Sequence, residues 1–179
     1  MPALILDGRP VANRILEEVA AGSAELARLR GRPPTLVAVG VGADPATRSY
    51  FRSIGRLAEK AGIRFEARYL PADISTAGLL GEVGRLNADP GVDGVLIQMP
   101  LPPHLDAARA AEALDPAKDV DGITPENAGR LFLGRPRLAP STPVGGLEVP
   151  RRCKPTYEGL KVGEEDWEYG ILRRLQAYL

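Results

Sequence analysis

The sequence is poor in the side chains that form covalent or metal cross-links. It has one cysteine, Cys153, and one histidine, His104, among its 179 residues. A single cysteine cannot form an intrachain disulfide, and these two side chains fall short of the four ligands that a structural zinc ion needs. We therefore expect no disulfide framework and no metal site.

The sequence also has no excess of one charge and no long apolar run. Lysine and arginine together number 23, as do aspartate and glutamate, so the chain lacks the basic field that dominates affinity for nucleic acids. No apolar run approaches the roughly 18–20 residues of a membrane span. The N-terminal segment carries an acid, Asp7, where a signal peptide has basic residues. These features predict a cytoplasmic protein without nucleic-acid or membrane partners.

Strand-like and helix-like segments alternate along most of the chain, and its 44% apolar and 26% charged residues are typical of a soluble globular protein. The strand-like segments are 3–6, 35–41, 64–70 and 92–99. The helix-like segments are 10–30, 46–61, 75–86, 105–114 and 126–133. This alternation predicts an α/β fold, namely a three-layer αβα domain with a mostly parallel sheet and right-handed crossovers.

Two segments have a weaker pattern. The helix-like segment 75–86 contains Gly78, Gly81 and Gly84, which lower helix propensity; their three-residue spacing on one face would instead allow close packing. Residues 134–163 are rich in proline, glycine and arginine and show no sustained period, whereas 164–179 regain a helical pattern. We therefore predict an irregular C-terminal tail that ends in a helix.

A glycine-rich turn follows the segment 35–41. Gly40 and Gly42 form the G-x-G that begins a dinucleotide-binding fingerprint, but Pro45 stands where the third glycine is required. The alternative is a sharp strand-to-helix turn in which Asp44 caps the helix and Pro45 is its first residue. The missing glycine favours this alternative.

The run 98–104, which reads Gln-Met-Pro-Leu-Pro-Pro-His, follows the third buried strand-like segment. Ligands of open α/β sheets bind at the C-terminal ends of the strands. Gln98 and the proline-rich loop are therefore candidates for a ligand site, and a strand cap with a tight turn is the alternative. His104 has no neighbour in the sequence to orient it, so we do not expect it to act as a catalytic base.

The loop 118–122, Lys-Asp-Val-Asp-Gly, places two acids around a valine. In an extended segment Asp119 and Asp121 point to the same side. One carboxylate can then bind a polar ligand while the other pairs with Lys118 or a backbone amide. The alternative is a solvated charged turn.

Taken together, these motifs resemble those of a known enzyme family. In chain order they are Asp7-Gly8, Val41-Gly42-Ala43-Asp44-Pro45-Ala46-Thr47, Ser49-Tyr50, the run 92–102, the loop 118–122, Asn127-Ala128-Gly129 and Pro140-Ser141-Thr142-Pro143. Their order and spacing over about residues 3–146 resemble the substrate-binding domain of the bifunctional methylenetetrahydrofolate dehydrogenase/methenyltetrahydrofolate cyclohydrolase family. The pair Q-x-P-L-P and K-D-V-D-G is its most specific part.

The resemblance implies a pterin-folate site with catalytic and substrate-binding side chains. Tyr50 is similar to the tyrosine that stacks on the folate, Gln98 to the glutamine that assists a catalytic lysine, and Asp121 to the aspartate that holds the pterin ring. Pro100 and Leu101 look like part of the pocket wall. Family members oxidise 5,10-methylene-tetrahydrofolate with NADP and hydrolyse the methenyl product to 10-formyl-tetrahydrofolate. They are generally homodimers, which implies a homodimer here.

One departure from the family pattern lies four residues after Tyr50. The family usually has a lysine there, on the same helical face as the tyrosine, and this chain has Ile54. Isoleucine carries no charge and no exchangeable proton. Arg52 and Arg56 lie two positions away and stay protonated. We therefore expect weak or absent cyclohydrolase activity, and a core contact within the helix is the alternative interpretation of Ile54.

A second departure follows the motif at 140–143. The family continues there into a nicotinamide-binding Rossmann domain, whereas 36 residues follow Pro143 in this sequence; such a domain needs roughly 100 residues or more. We therefore expect a folate-substrate catalytic domain at 1–146, a non-family tail at 147–179, no Rossmann domain, and no binding of NADP by this chain.

Three hypotheses about function remain open at this point. The first is an enzyme of one-carbon metabolism that acts on tetrahydrofolate derivatives, with catalysis impaired by the two departures. The second is a folate-binding module without turnover. The third is a dimer partner of an intact homologue.

Overall fold

A computed structural model describes residues 7–152 of the chain. Helices and strands alternate in it: α1 Arg9–Arg30, β1 Thr35–Val41, α2 Pro45–Lys60, β2 Arg64–Leu70, α3 Thr76–Ala88, β3 Gly94–Ile97, α4 Ala107–Ala113, α5 Pro125–Phe132 and α6 Ser141–Arg152. Within this part of the chain no helix combines the length and apolar character needed to cross a membrane. The strand predicted at 3–6 and the helix predicted at 164–179 lie outside the described residues.

The sheet is parallel throughout, with strand order β2-β1-β3. The central strand β1 is a continuous apolar run, and Val37, Ala38 and Val39 are wholly buried. Such a run is typical of a parallel strand covered on both faces. A single parallel bridge joins Val95 of β3 to Asp119 at the outer edge. The predicted α/β fold with a parallel sheet is confirmed.

Helices cover both faces of this sheet. One face packs against α3 and α4 through buried side chains that include Leu79, Val83, Leu86, Ala110 and, from the strands, Val37, Val39, Val95 and Ile97. The other face packs against α2, where Phe51 contacts Ala38 and Leu96. The predicted three-layer arrangement therefore describes the domain, and α2 is the helix that covers the second face.

Helix α6 is a difference from the sequence prediction, which assigned no regular structure to 134–163. The helix spans Ser141–Arg152. Pro143 lies in its first turn, where backbone amides have no acceptor within the helix, so a proline is tolerated there. The domain boundary predicted after residue 146 falls inside this helix.

The three glycines of α3 do not form a common packing face. A Cβ at Gly78 would lie 2.8 Å from the side chain of Ile74, whereas a Cβ at Gly81 or Gly84 would meet no atom within 4 Å. Both Gly81 and Gly84 are exposed. Close packing of this face, which the spacing allowed, is therefore wrong for these two positions.

Gly81→Ala is expected to raise the free energy of unfolding by about 1 kcal/mol, because alanine restricts the unfolded chain and fills open space in an exposed helix. Urea denaturation followed by circular dichroism measures this change. Gly94→Ala is the matched control. A Cβ at this buried glycine would lie 2.6 Å from Cγ1 of Val120, so this variant should lose stability. A lower urea midpoint for Gly81→Ala than for wild type would contradict this prediction, because it would mean that a Cβ at position 81 is not accommodated in open space.

Candidate functional site

A cleft of about 420 Å³ opens where the strands of the sheet end. Its lining comes from α2, the end of β3, the loop before α5 and the start of α6: Tyr50, Ile97, Gln98, Met99, Asp121, Ile123, Pro140, Ser141, Thr142 and Pro143. Open α/β sheets bind ligands at this edge. Tyr50, Gln98 and Asp121, which the sequence singled out, share the cleft, whereas its lining does not include Pro100 or Leu101.

Tyr50 owes its position to the turn between β1 and α2. Gly42 adopts a left-handed conformation with φ of 74°. The Asp44 carboxylate then accepts hydrogen bonds from the amides of Ala46 and Thr47, at 2.9 and 3.0 Å. This is the sharp, capped turn that the sequence offered as an alternative. It starts α2 at Pro45 and brings Tyr50, with 48% of its surface exposed, to the cleft.

The same turn does not fit the pyrophosphate of a dinucleotide. Helix amides that face a phosphate must be free to donate, but the amides of Ala46 and Thr47 already donate to Asp44, and Pro45 has none. The Asp44 carboxylate would also repel a phosphate. We therefore assign no nicotinamide chemistry to this turn.

Gln98 lies directly after β3 with its amide group at the cleft. Its backbone amide donates to the Val39 carbonyl at 2.8 Å. Its side-chain Nε2 donates to the Met99 carbonyl at 2.8 Å. No described residue donates to its side-chain oxygen, so that oxygen can accept a hydrogen bond from a ligand. The peptide bond between Met99 and Pro100 is cis.

Lys118 connects the loop 118–122 to helix α3. Its ammonium donates to the carbonyls of Leu86, Asn87 and Asp89, at 2.9, 2.8 and 2.7 Å. These carbonyls are at the C-terminal end of α3, where a helix leaves acceptors unsatisfied and favours a cation. Lys118 therefore anchors the loop to α3 and does not pair with a carboxylate.

Asp119, in the loop 118–122, is wholly buried. Its carboxylate accepts from the amides of Ile123 and Thr124, at 3.0 and 2.9 Å, and from Nδ2 of Asn127 at 2.9 Å. Burial by itself raises the pKa of Asp119. The hydrogen bonds from Thr124, Asn127 and Ile123 outweigh it and hold the pKa below its ordinary value of 3.8. Asp119 therefore holds the loop in shape and is not among the residues that line the cleft.

Asp121 has different surroundings from Asp119, because the chain turns here and is not extended. Asp121 is half-buried and lines the cleft. Its Oδ1 accepts a hydrogen bond from the hydroxyl of Ser141 at 3.1 Å. The loop is thus not a solvated turn: one acid is buried and bonded to backbone amides, and the other faces the cleft.

Gly122 allows the start of α6 to reach the cleft. Its φ is 64°, and a Cβ at this position would lie 3.1 Å from both N and Cδ of Pro140. Only glycine combines this conformation with such a close approach. The contact brings Ser141 and Thr142 into the lining. The sequence marked both motifs as part of the family resemblance but did not show that they touch.

Ile54 lies one helical turn after Tyr50 and packs, half-buried, against the cluster of Phe51, Ala38 and Leu96. It is not among the lining residues of the cleft. The core-contact interpretation of Ile54 therefore agrees with the geometry. Arg52 is exposed and does not line the cleft either.

His104 lies away from the cleft. It is exposed, and its Nε2 is 3.1 Å from the carbonyl oxygen of Ile74. Among residues 7–152 no group of three or more histidine, cysteine, aspartate or glutamate side chains is arranged to hold a metal ion. Of the side chains that the sequence singled out as candidates, Tyr50, Gln98 and Asp121 line the cleft, and His104 does not.

Comparison with known proteins identifies relatives over most of the chain. A family model described as the catalytic domain of tetrahydrofolate dehydrogenase/cyclohydrolase matches residues 6–121. The bifunctional protein FolD of Sorangium cellulosum is 49% identical over 150 residues, which are 83% of this chain and 52% of that protein. FolD of Chloroflexus aurantiacus is 47% identical over 152 residues, 85% of this chain and 53% of that protein. The chain therefore spans about half the length of the curated relatives it matches.

Solved structures show the same likeness. The bifunctional enzyme FolD from Campylobacter jejuni superposes with a TM-score of 0.79 at 32% identity, over 84% of this chain and 54% of that one. The Trypanosoma brucei dehydrogenase-cyclohydrolase, solved with NADP cofactor and an inhibitor, gives 0.80 at 34% identity, over 86% and 53%. The described fold is thus the fold of these domains.

Proposed function

Because the chain belongs to the tetrahydrofolate dehydrogenase/cyclohydrolase family, we propose that its cleft binds a tetrahydrofolate derivative. The observation that carries the proposal is the meeting of an aromatic face, an amide and a carboxylate, from Tyr50, Gln98 and Asp121, in one cleft. This combination suits a flat heterocycle that donates and accepts hydrogen bonds. The cleft volume of about 420 Å³ lies in the range of small-molecule sites.

Each of the three side chains has a distinct role in this proposal. The exposed ring of Tyr50 offers a stacking surface for the folate. Oδ2 of Asp121, which has no donor among the described residues, accepts hydrogen bonds from the N–H groups of the pterin. The amide oxygen of Gln98 accepts one from the reacting part of the substrate. Pro100 and Leu101 stay predictions as wall residues.

The chemistry is proposed to be that of the family, with the hydrolytic step impaired. In the family, 5,10-methylene-tetrahydrofolate is oxidised with NADP, and water then adds to the methenyl carbon to give 10-formyl-tetrahydrofolate. That addition needs a group that accepts and returns a proton. At the position of the family's lysine, Ile54 supplies none and packs into the apolar cluster. The turn after β1 has no free helix amide for the pyrophosphate of NADP, so we assign the oxidation to no residue of this turn.

A second candidate function is folate binding without turnover, alone or as a dimer partner. Ile54 favours it, because this residue removes the proton-exchanging group while leaving the cleft intact. A homodimer is also proposed. Two observations support self-association: β2 is at an edge of the described sheet, and Leu57 of α2 and Tyr69 of β2 are 56% and 37% exposed.

We expect the full chain to bind 5,10-methenyl-tetrahydrofolate without hydrolysing it faster than buffer does. Loss of the methenyl absorbance, measured against a buffer blank, gives the rate. Calorimetric titration with the stable analogue 5-formyl-tetrahydrofolate gives the affinity. Asp121→Ala is the control for the site and should weaken binding about tenfold or more, because a charged hydrogen-bond acceptor is lost.

The two outcomes of this experiment separate the parts of the proposal. Saturable hydrolysis above the blank would show that another group does the work of the lysine. A wild-type chain that binds neither compound would overturn the folate site itself.

A further inference from the structure

We infer that Ser141 is a positioning residue for Asp121, holding one carboxylate oxygen so that the other faces the ligand. The inference rests on the proposed function, because it concerns how the proposed folate cleft recognises the pterin. Neither the family resemblance nor the loop 118–122 assigns a role to Ser141.

The contacts of the Asp121 carboxylate carry the argument. Its Oδ1 accepts from the Ser141 hydroxyl at 3.1 Å, across 20 positions of sequence. Within the described part of the chain no other group donates to this carboxylate. A carboxylate bonded through one oxygen loses free rotation about its side-chain torsions, and its second oxygen points in a defined direction. Such ordering, achieved before the ligand arrives, removes part of the entropic cost of binding.

Ser141 can serve this purpose because its own backbone is held on two sides. It is the first residue of α6. The carbonyl of Pro140 accepts from the amide of Val144 at 3.2 Å and closes the first turn of the helix. Pro140 itself lies against Gly122, at the close approach that only glycine allows. The hydroxyl therefore meets Asp121 through a rigid connection.

The location of the bond fits a role in recognition better than a role in stability. Ser141 is exposed, and Asp121 is half-buried in the free domain. An exposed hydrogen bond of this kind contributes little to folding. A ligand that fills the cleft would cover this hydrogen bond. We therefore expect its removal to lower ligand affinity more than it lowers folding stability.

A double-mutant cycle tests the inference by calorimetric titration of the full chain with 5-formyl-tetrahydrofolate. Ser141→Ala should weaken binding roughly 3- to 10-fold. In the background of Asp121→Ala, which has no acceptor for the serine hydroxyl, the same serine change should have no further effect, since Ser141 acts through Asp121. Ser141→Thr keeps the hydroxyl and should bind within about twofold of wild type. Ser49→Ala, an exposed serine of α2 outside the cleft, is the matched control.

The outcomes distinguish this inference from the function on which it rests. Wild-type affinity in Ser141→Ala, or losses that simply add in the double variant, would overturn the positioning role while leaving the folate site in place. A wild-type chain that does not bind the folate overturns the proposed function and this inference together. Thermal melts of all variants, expected to agree within a few degrees, show that the affinities refer to folded protein.

Discussion

Ile54→Lys is expected to raise the rate of 5,10-methenyl-tetrahydrofolate hydrolysis by a factor of roughly 10² to 10⁴, the contribution of a well-placed acid–base group. Ile54 lies one turn of α2 after Tyr50, which lines the cleft. A lysine stem can follow the apolar surface beside Phe51 and carry its ammonium outward to the cleft. Partial burial there lowers the pKa of a lysine, which favours proton exchange near neutral pH.

Two further substitutions at this position separate the causes of any gain. Ile54→Met keeps an apolar side chain of similar volume and should show no gain. Ile54→Arg adds a permanent charge without a proton to exchange and should restore little of the rate. The rates are measured from the methenyl absorbance at saturating substrate. If the lysine variant binds the substrate but hydrolyses it no faster than the methionine variant does, position 54 is not where the reaction needs its proton acceptor.

Asp119→Ala is expected to lower the free energy of unfolding by roughly 3–5 kcal/mol, because it leaves buried donors without an acceptor. The amides of Ile123 and Thr124 and the side chain of Asn127 all donate to this carboxylate. Urea denaturation at pH 7 measures the loss.

Asp121→Ala is the matched control, because both acids belong to the same five-residue loop. Asp121 is half-buried and makes a single hydrogen bond, at 3.1 Å, so its removal should cost about 1 kcal/mol or less. Asp119→Ala should therefore mainly lower the free energy of unfolding, whereas Asp121→Ala should mainly weaken folate binding. Equal losses of stability would contradict the different surroundings of the two carboxylates.

The pH dependence of Asp119→Ala gives a second test. The pKa of Asp119 is lower in the folded chain than its ordinary value of 3.8. The stability that Asp119 contributes is therefore complete above that value and is lost as the pH falls through the folded pKa. The difference in stability between wild type and Asp119→Ala should shrink on acidification from pH 7 to pH 3. A difference that stays constant would contradict the depressed pKa.

Short-range signals in the sequence were sufficient for the central elements of the fold. The strand at 35–41 was predicted with its observed bounds, because a continuous apolar run marks a strand buried on both faces. The start of α2 was predicted from Asp44 and Pro45, since a side-chain cap and a proline at the first helical position act on the neighbouring backbone. The family, read from the order of motifs, is confirmed by the match over residues 6–121.

The sequence prediction missed helix α6, and the reason for this is also local. Pro143, Gly145 and Gly146 lie within its first half, and these residues lower helix propensity in the interior of a helix. Pro143 falls in the first turn, where its missing amide has no cost. The sequence shows the residues but not where the helix begins, and this position decides whether the proline is tolerated.

The roles within the loop 118–122 depended on the tertiary structure. Its two acids look alike in the sequence, yet one is buried against Asn127 and the other bonds to Ser141 in the cleft. One carboxylate was expected to pair with Lys118 or a backbone amide, and Asp119 accepts from the amides of Ile123 and Thr124. Lys118 instead donates to carbonyls at the end of α3, about 30 residues away in the chain. The sequence by itself thus determined the family, the layered fold and three side chains of the cleft. Only the tertiary structure decided which polar groups meet, because burial and long-range hydrogen bonds depend on segments that local patterns cannot bring together.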